Sequence, residues 1–239
     1  MSHIKIAAIT PVGRESETLT NFIDEVNYEI GSEGIHYLIT DDFTDSDSLH
    51  QIQLGLVRHK NLMWCHLDNN VNGISGVYLE GYRKALLGNS DYFLEIDAGY
   101  SHNPKEISMF MEMVNDFDVI LGSRFSRNEH FKSTLKRYII SRGGSLLSRK
   151  ISKTPITDMT SGFQCFSRES IMQILKEPLF STGPFFQTEM KIRAYRLNYR
   201  IAEIPITYQN PDHRIKLRNI TESLTILFTH YGKVPNNES

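Results

Sequence analysis

The chain has 239 residues, 40% of them hydrophobic and 23% charged. That length and balance supply a sizeable buried core and exclude a disordered or fibrous protein. With 26 Lys plus Arg against 28 Asp plus Glu, the net charge of -2 leaves no surplus of cations for a broad phosphate-backbone footprint, which excludes bulk nucleic-acid binding.

The N-terminal apolar run Ile4 to Ile9 is too short for a secretory leader and reads as a first strand. Leu19, Phe22, Ile23, Val26 and Ile30 then recur at helical spacing after Ser16. The pattern repeats: His36 to Thr40 as strand, Leu49, Ile52 and Leu56 as helix, Leu62 to Leu67 as strand, and Val77, Tyr78, Tyr82 and Ala85 as helix. Tyr92 to Ile96 is a fourth strand. Asn103-Pro104 caps a helix through Ile107, Phe110, Met111 and Val114, and Val119 to Leu121 is a fifth strand. Such alternation predicts an α/β fold with a parallel sheet covered on both faces.

After Ser123 the alternation weakens into a basic stretch (Arg124 to Arg137), a helix ending near Lys150 and a loop from Pro155 to Gly162. A helix over Gln187 to Arg196, a strand over Ile201 to Thr207, a basic loop over Asn210 to Arg218 and a last helix to Tyr231 complete the chain. The expected organisation is one domain, 1–231, with a first half (1–122), an acceptor or partner half built onto it (123–231) and a flexible tail (232–239). No run reaches the roughly 18 apolar residues of a membrane span, and Cys65 and Cys165 lack metal-ligand spacing and read as reduced packing residues. A soluble, cytoplasmic protein is expected, at most lying on a membrane surface.

Ligands of an open parallel sheet bind beyond the carboxyl ends of its strands. At those ends stand Pro11-Val12-Gly13-Arg14-Glu15, Asp41-Asp42, Asp68-Asn69-Asn70 and Asp97-Ala98-Gly99-Tyr100-Ser101-His102. The first loop lacks G-x-G-x-x-G, which argues against a dinucleotide cofactor. Side chains are left to hold a nucleotide: Asp41 or Asp42 accepting from ribose or base, with a cation bridging Asp97 to a diphosphate. Carboxylate ligation suits Mg²⁺ or Mn²⁺. Asp45 and Asp47 open a helix and read as caps. His102 has three open roles: metal ligand, phosphate donor or loop residue. Arg124, after Gly122-Ser123, presents a fork for a phosphate, and Arg137 and Ser141, four apart, share a helix face that suits an anion.

Taken in order, Asp41-Asp42, Asn70-Val71-Asn72-Gly73, Asp97-Ala98 with His102 and Pro104, Ser123-Arg124-Phe125, Arg137 with Ser141-Arg142-Gly143, Asp158 to Phe163 and Gln187-Thr188-Glu189-Met190 resemble the dolichyl-phosphate mannosyltransferase type of family 2 glycosyltransferases, from about Ile4 to about Leu227. The resemblance implies a GT-A fold, a nucleotide-diphosphate sugar donor (GDP- or UDP-linked), a divalent cation and transfer with inversion to a polyprenyl phosphate. It implies donor contacts at Pro11, Glu15, Asp41, Asp42, Asn72, Gly73, Asp97 and Ala98. It further implies an acceptor cradle of Arg124, Arg137, Ser141, Ser161 and Lys216, a metal held by Asp97 and His102, and catalytic roles for Asp97, Arg124 and Asp158. Two positions depart from the pattern. Arg14 stands where the family has an amide, and Gly99 stands where it has the second carboxylate of Asp-x-Asp, so that Ser101 or His102 is expected to complete the cation's shell.

A phosphate acceptor is already ionised near neutral pH and needs no base, whereas a saccharide hydroxyl needs one, with Asp158 the candidate. Both acceptors stay open at this point, as does a third reading, a nucleotide-sugar binder without catalysis. A lipid acceptor implies peripheral membrane contact through the basic, apolar C-terminal part, including Phe180, Phe185, Phe186, Leu224, Leu227 and Phe228, residues equally suited to a core. The oligomeric state is not legible.

Overall fold

The structure, a computed structural model, describes residues 4–68, 73–125, 131, 132, 134–209 and 217–232. Asn70, Val71, Asn72, His213, Arg214, Lys216 and the tail 233–239 lie outside the described residues.

The first strand sets the plan. Along β1 (Ile6–Pro11), Ile6 and Ala8 face one core while Ala7 and Ile9 face another, because successive side chains of a strand point to opposite sides. The first face is covered by α1 (Ser16–Ile30), α2 (Ser46–Arg58) and α4 (Ile107–Met111). The second is covered by α3 (Gly73–Leu86), α6 (Arg168–Ile174) and α7 (Phe186–Arg196). Strands buried on both sides read as continuous apolar runs, which is what β2 (Ile35–Thr40), β4 (Tyr92–Glu95) and β5 (Val119–Ser123) show.

With β3 (Leu62–His66), β7 (Gln164–Ser167) and β8 (Ile201–Pro205) they form a seven-stranded sheet in the order β3-β2-β1-β4-β7-β5-β8. All pairs are parallel except those of β7, which runs antiparallel between β4 and β5. The strand over Ile201 to Thr207 is therefore shorter than expected, and β7 was not foreseen. Its Cys165 and Phe166 fill opposite cores, so it has no alternation to announce it. Asp45 caps α2 by accepting from the Ser48 N–H at 2.7 Å, as expected. The last elements are the pair β6 (Phe131–Lys132) and β9 (Tyr208–Gln209), the long helix α5 (Leu135–Ser152), and α8 (Leu217–Ile226), which continues as a π-helical turn over Leu227–Tyr231. Of the aromatic and aliphatic residues named above, Phe185, Phe186 and Leu227 are core, whereas Phe180, Leu224 and Phe228 are exposed.

Candidate functional site

The parallel strands β1, β2 and β4 end on one rim, and a cleft of about 640 Å³ opens there. Pro11, Arg14, Glu15, Asp41, Asp97, Ala98 and Ser101 line it, with Arg137 and Tyr208 on its far side. A second cavity, of about 530 Å³, lies between α5, α7 and α8. Its walls carry Ile140, Leu147, Phe185, Phe186, Leu224 and Leu227, with Arg124, Ser141 and Thr160 as polar members. Ile74, Asp97, Arg137 and Tyr208 line both spaces, so a polar cleft and a mainly apolar cavity meet at one carboxylate and one guanidinium.

Asp97 stands just past β4 and remains 45% exposed, while the buried Tyr78 hydroxyl donates to its Oδ1 at 2.6 Å. Burial first, then the Asp97 and Glu95 carboxylates, raise the Tyr78 pKa well above the usual phenol range, so it stays a donor. The second Asp97 oxygen lies 3.9 Å from Nδ1 of His102. That histidine is buried between Phe163 and Tyr208, and both of its ring nitrogens lack a hydrogen-bond partner among the described residues. Burial lowers its pKa to about 4 against the opposing pull of Asp97, so the ring is neutral and keeps a lone pair for a metal. Asp97 and His102 thus fit two positions of a cation's shell. No group of three or more metal-binding side chains occurs among the described residues.

The missing second carboxylate has a backbone reason. Gly99 has φ +82°, and a Cβ there would lie 3.1 Å from Glu15 Cγ. Glu15 in turn folds back to accept from the Gly13 N–H at 2.7 Å. Beneath the site, the buried Glu95 accepts from Tyr82 Oη at 2.6 Å, Gln164 Nε2 at 3.0 Å and Gln187 Nε2 at 3.1 Å, which holds Gln187 on the cavity wall.

Arg124 and Asp158, expected as separate acting groups, form one buried ion pair. The Asp158 carboxylate accepts from the Arg124 backbone N–H, Nε and Nη2 at 2.9, 2.8 and 2.8 Å, and Nη2 also donates to Thr160 Oγ1 at 2.7 Å. Burial alone would raise the Asp158 pKa, but Arg124 overrides it and holds the carboxyl at about 2. Asp158 lines neither space, so the expectation of a base there is corrected: it is saturated by donors and out of reach of a substrate. Arg124 does line the apolar cavity, with Nε and Nη2 directed at Asp158.

Arg137 and Ser141 share the cavity-facing side of α5, as their spacing predicted, and Arg137 Nη2 donates to Tyr208 Oη at 3.1 Å. Asp41 lines the cleft, whereas Asp42 sits beside His66 at 3.7 Å and away from it. Gly73 opens α3 at φ +66°, where a Cβ would lie 2.5 Å from the Thr182 carbonyl oxygen. Ser161 is fully buried outside both spaces, and its carbonyl accepts from Lys191 Nζ at 2.7 Å. Thr160, and not Ser161, stands on the cavity wall. Asn72 and Lys216 lie outside the described residues.

Three residues escaped the sequence reading: Tyr78 and Lys191, concealed in helical stripes, and Tyr208, which carries no motif. Lys191 donates to the carbonyls of Asp158 and Ser161 at 3.0 and 2.7 Å. Burial lowers its pKa to about 8. Its helix, FQTEMKIRAYR, mixes charged and apolar residues, so the sequence carries no signal that sets Lys191 apart.

Residues 7–175 match the family described as Glycosyl transferase family 2. The chain is 33% identical over 138 residues to the undecaprenyl-phosphate mannosyltransferase of Micrococcus luteus, a match spanning 57% of this chain and 57% of that protein. It is 26% identical over 203 residues to the polyprenol monophosphomannose synthase of Mycolicibacterium smegmatis, spanning 84% of this chain and 76% of that one. Among solved structures it is similar to the glucosyl-3-phosphoglycerate synthase of Mycobacterium tuberculosis in complex with Mn²⁺, UDP and glucosyl-3-phosphoglycerate. The TM-score is 0.71 over 98% of this chain and 82% of that chain, and at 13% identity the likeness is one of fold.

Proposed function

The chain belongs to glycosyl transferase family 2, and we propose that it transfers mannose, with inversion, from a nucleotide-diphosphate sugar in the polar cleft to a polyprenyl phosphate in the apolar cavity. The observation that carries the reading is the meeting of the two spaces at Asp97 and Arg137. A lipid tail matches the walls of Ile140, Leu147, Phe186 and Leu227, and its phosphate matches the Arg137 and Ser141 side of α5. The names of the two relatives point to the same pairing of mannose and polyprenyl acceptor.

In this reading the half 1–122 binds the donor and the half 123–231 the acceptor. Arg14 and Asp41 contact the nucleotide, GDP or UDP, and Tyr78 keeps Asp97 turned towards its diphosphate. Asp97 and His102 hold Mg²⁺ or Mn²⁺, which when bound supplies positive charge to the departing nucleoside diphosphate. Arg137 neutralises the acceptor phosphate and sets one of its oxygens behind the anomeric carbon. That oxygen attacks as the bond to the nucleoside diphosphate breaks, so the configuration inverts. A phosphate monoester with a second pKa of about 6 needs no base, which agrees with a site whose candidate base, Asp158, is tied to Arg124. The same point weighs against a saccharide hydroxyl as acceptor. A lipid acceptor also places the protein at the cytoplasmic surface of a membrane, and among the described residues no helix is long and apolar enough to cross one.

The test is calorimetric titration with GDP, UDP, GDP-mannose and UDP-glucose, with and without Mn²⁺, followed by transfer of labelled sugar to a short-chain, water-soluble isoprenyl phosphate. Metal-dependent binding lost in Asp97→Ala, with transfer to the phosphate, is expected. Folded protein that binds no nucleotide, or that passes sugar only to saccharides, overturns the reading.

A further inference from the structure

We propose that Tyr208 is a positioning residue that fixes the Arg137 guanidinium where the cleft and the cavity meet, and so holds the acceptor phosphate in register with the donor. The proposal rests on the reading of Arg137 as the cation for that phosphate and adds the residue through which it is aimed.

The backbone of Tyr208 is tied to the donor rim. Beyond β8 the Ile206 N–H donates to the Ser123 carbonyl at 3.1 Å, and the Thr207 N–H donates to Glu106 Oε1 at 2.7 Å. Tyr208 forms an antiparallel bridge with His102, and the Gln209 N–H donates to the Ser101 carbonyl at 3.1 Å. On its other side the strand pairs with β6. Residues 207–209 are thereby joined to the loop that follows Asp97, the same loop that lends Ser101 to the cleft.

The side chain reaches the other half of the site. Its ring is 6% exposed, with its centroid 5.6 Å from that of His102 and 5.0 Å from Arg124 Cζ. Asp158 and Thr160 hold Arg124 in turn, so the ring rests on a fixed bed. From there the hydroxyl accepts from Arg137 Nη2 at 3.1 Å. Arg137 projects from α5 and is only half-buried, and a long side chain of that kind loses rotamer freedom when it grips a ligand. A guanidinium already held in place avoids part of that cost, and an N–H committed to Tyr208 restricts the plane of the whole fork. The attacking oxygen must stand behind the anomeric carbon, where a displacement of about 1 Å can cost about 10²-fold in rate. Packing alone would be served by phenylalanine, which would cover His102 and Arg124 equally well; the hydroxyl is what bears on Arg137.

The experiment compares wild type, Tyr208→Phe, Arg137→Gln and the double variant in sugar transfer to the short-chain isoprenyl phosphate. Affinities for that phosphate and for the nucleotide sugar are read by calorimetry, and folding by thermal melting. Tyr208→Phe is expected to lower kcat/KM for the phosphate about tenfold or more, with melting and nucleotide-sugar affinity unchanged. In the Arg137→Gln background the same substitution should matter by less than about twofold, because nothing is left to aim. Phosphate affinity completes the cycle even where Arg137→Gln turns over too slowly to follow. A Tyr208→Phe enzyme with wild-type kcat/KM overturns the proposal. So does an equal loss in both backgrounds, which would make the hydroxyl a direct substrate contact, or a parallel fall in melting temperature and nucleotide-sugar affinity, which would make it structural. Wild type that passes no sugar to the phosphate overturns this proposal and the acceptor reading together, whereas transfer by wild type with an unchanged Tyr208→Phe overturns this one alone.

Discussion

The Tyr78 hydroxyl and the Asp97 carboxylate, joined at 2.6 Å, tie the buried side of α3 to the rim of the sheet. One Asp97 oxygen is thereby fixed, and the other lies 3.9 Å from His102 Nδ1. Tyr78→Phe removes a hydrogen bond to a charged group, which contributes about 1.5–3 kcal/mol. Nucleotide-sugar affinity in the presence of Mn²⁺ is expected to fall about tenfold or more, measured by titration calorimetry, with the metal-free affinity nearly unchanged.

The Arg124–Asp158 pair predicts a pH dependence. The folded pKa of Asp158, about 2, lies below its ordinary value of 3.8. The group therefore contributes stability that is complete above pH 3.8 and disappears as pH falls through 2, a contribution of about 2 kcal/mol. Asp158→Asn should abolish that acid-range slope in urea melts. At pH 7 it should cost about 3–5 kcal/mol, because the buried Arg124 charge loses its counterion. Arg124→Met combined with Asp158→Leu is expected to recover part of the loss.

Restoring a second carboxylate at position 99 should not restore a second metal ligand. Gly99→Asp places a side chain at φ +82° against Glu15. A loss of about 1–2 kcal/mol in thermal or urea unfolding is expected. No gain in Mn²⁺ affinity should accompany it, as read by Mn²⁺ titration with the nucleotide present.

Lys191→Met removes the ammonium that binds the Asp158 and Ser161 carbonyls at 3.0 and 2.7 Å. Two buried carbonyls lose their donor, at a cost of about 2–4 kcal/mol in stability. Because Thr160 lies on the cavity wall within this loop, the KM for the isoprenyl phosphate should rise while nucleotide affinity holds.

Much of this architecture was legible before any coordinates. The strands from Ile6 to Leu121 follow from short apolar runs and the helices between them from a 3.6-residue period, both local properties of the chain. The convergence of Pro11, Glu15, Asp41 and Asp97 on one rim follows from parallel strands sharing a direction. Arg137 and Ser141 were readable because four residues make one turn of a helix.

What the sequence determined by itself was therefore the α/β alternation, the rim and the family. What only the tertiary structure decided were the contacts between distant segments: Arg124 with Asp158, 34 residues apart, Tyr78 with Asp97, and β7 threaded antiparallel between β4 and β5. The physical reason is that periodicity reports which side of an element is buried, whereas the partner of a buried charge depends on which segments packing brings together, and that is not encoded in local spacing.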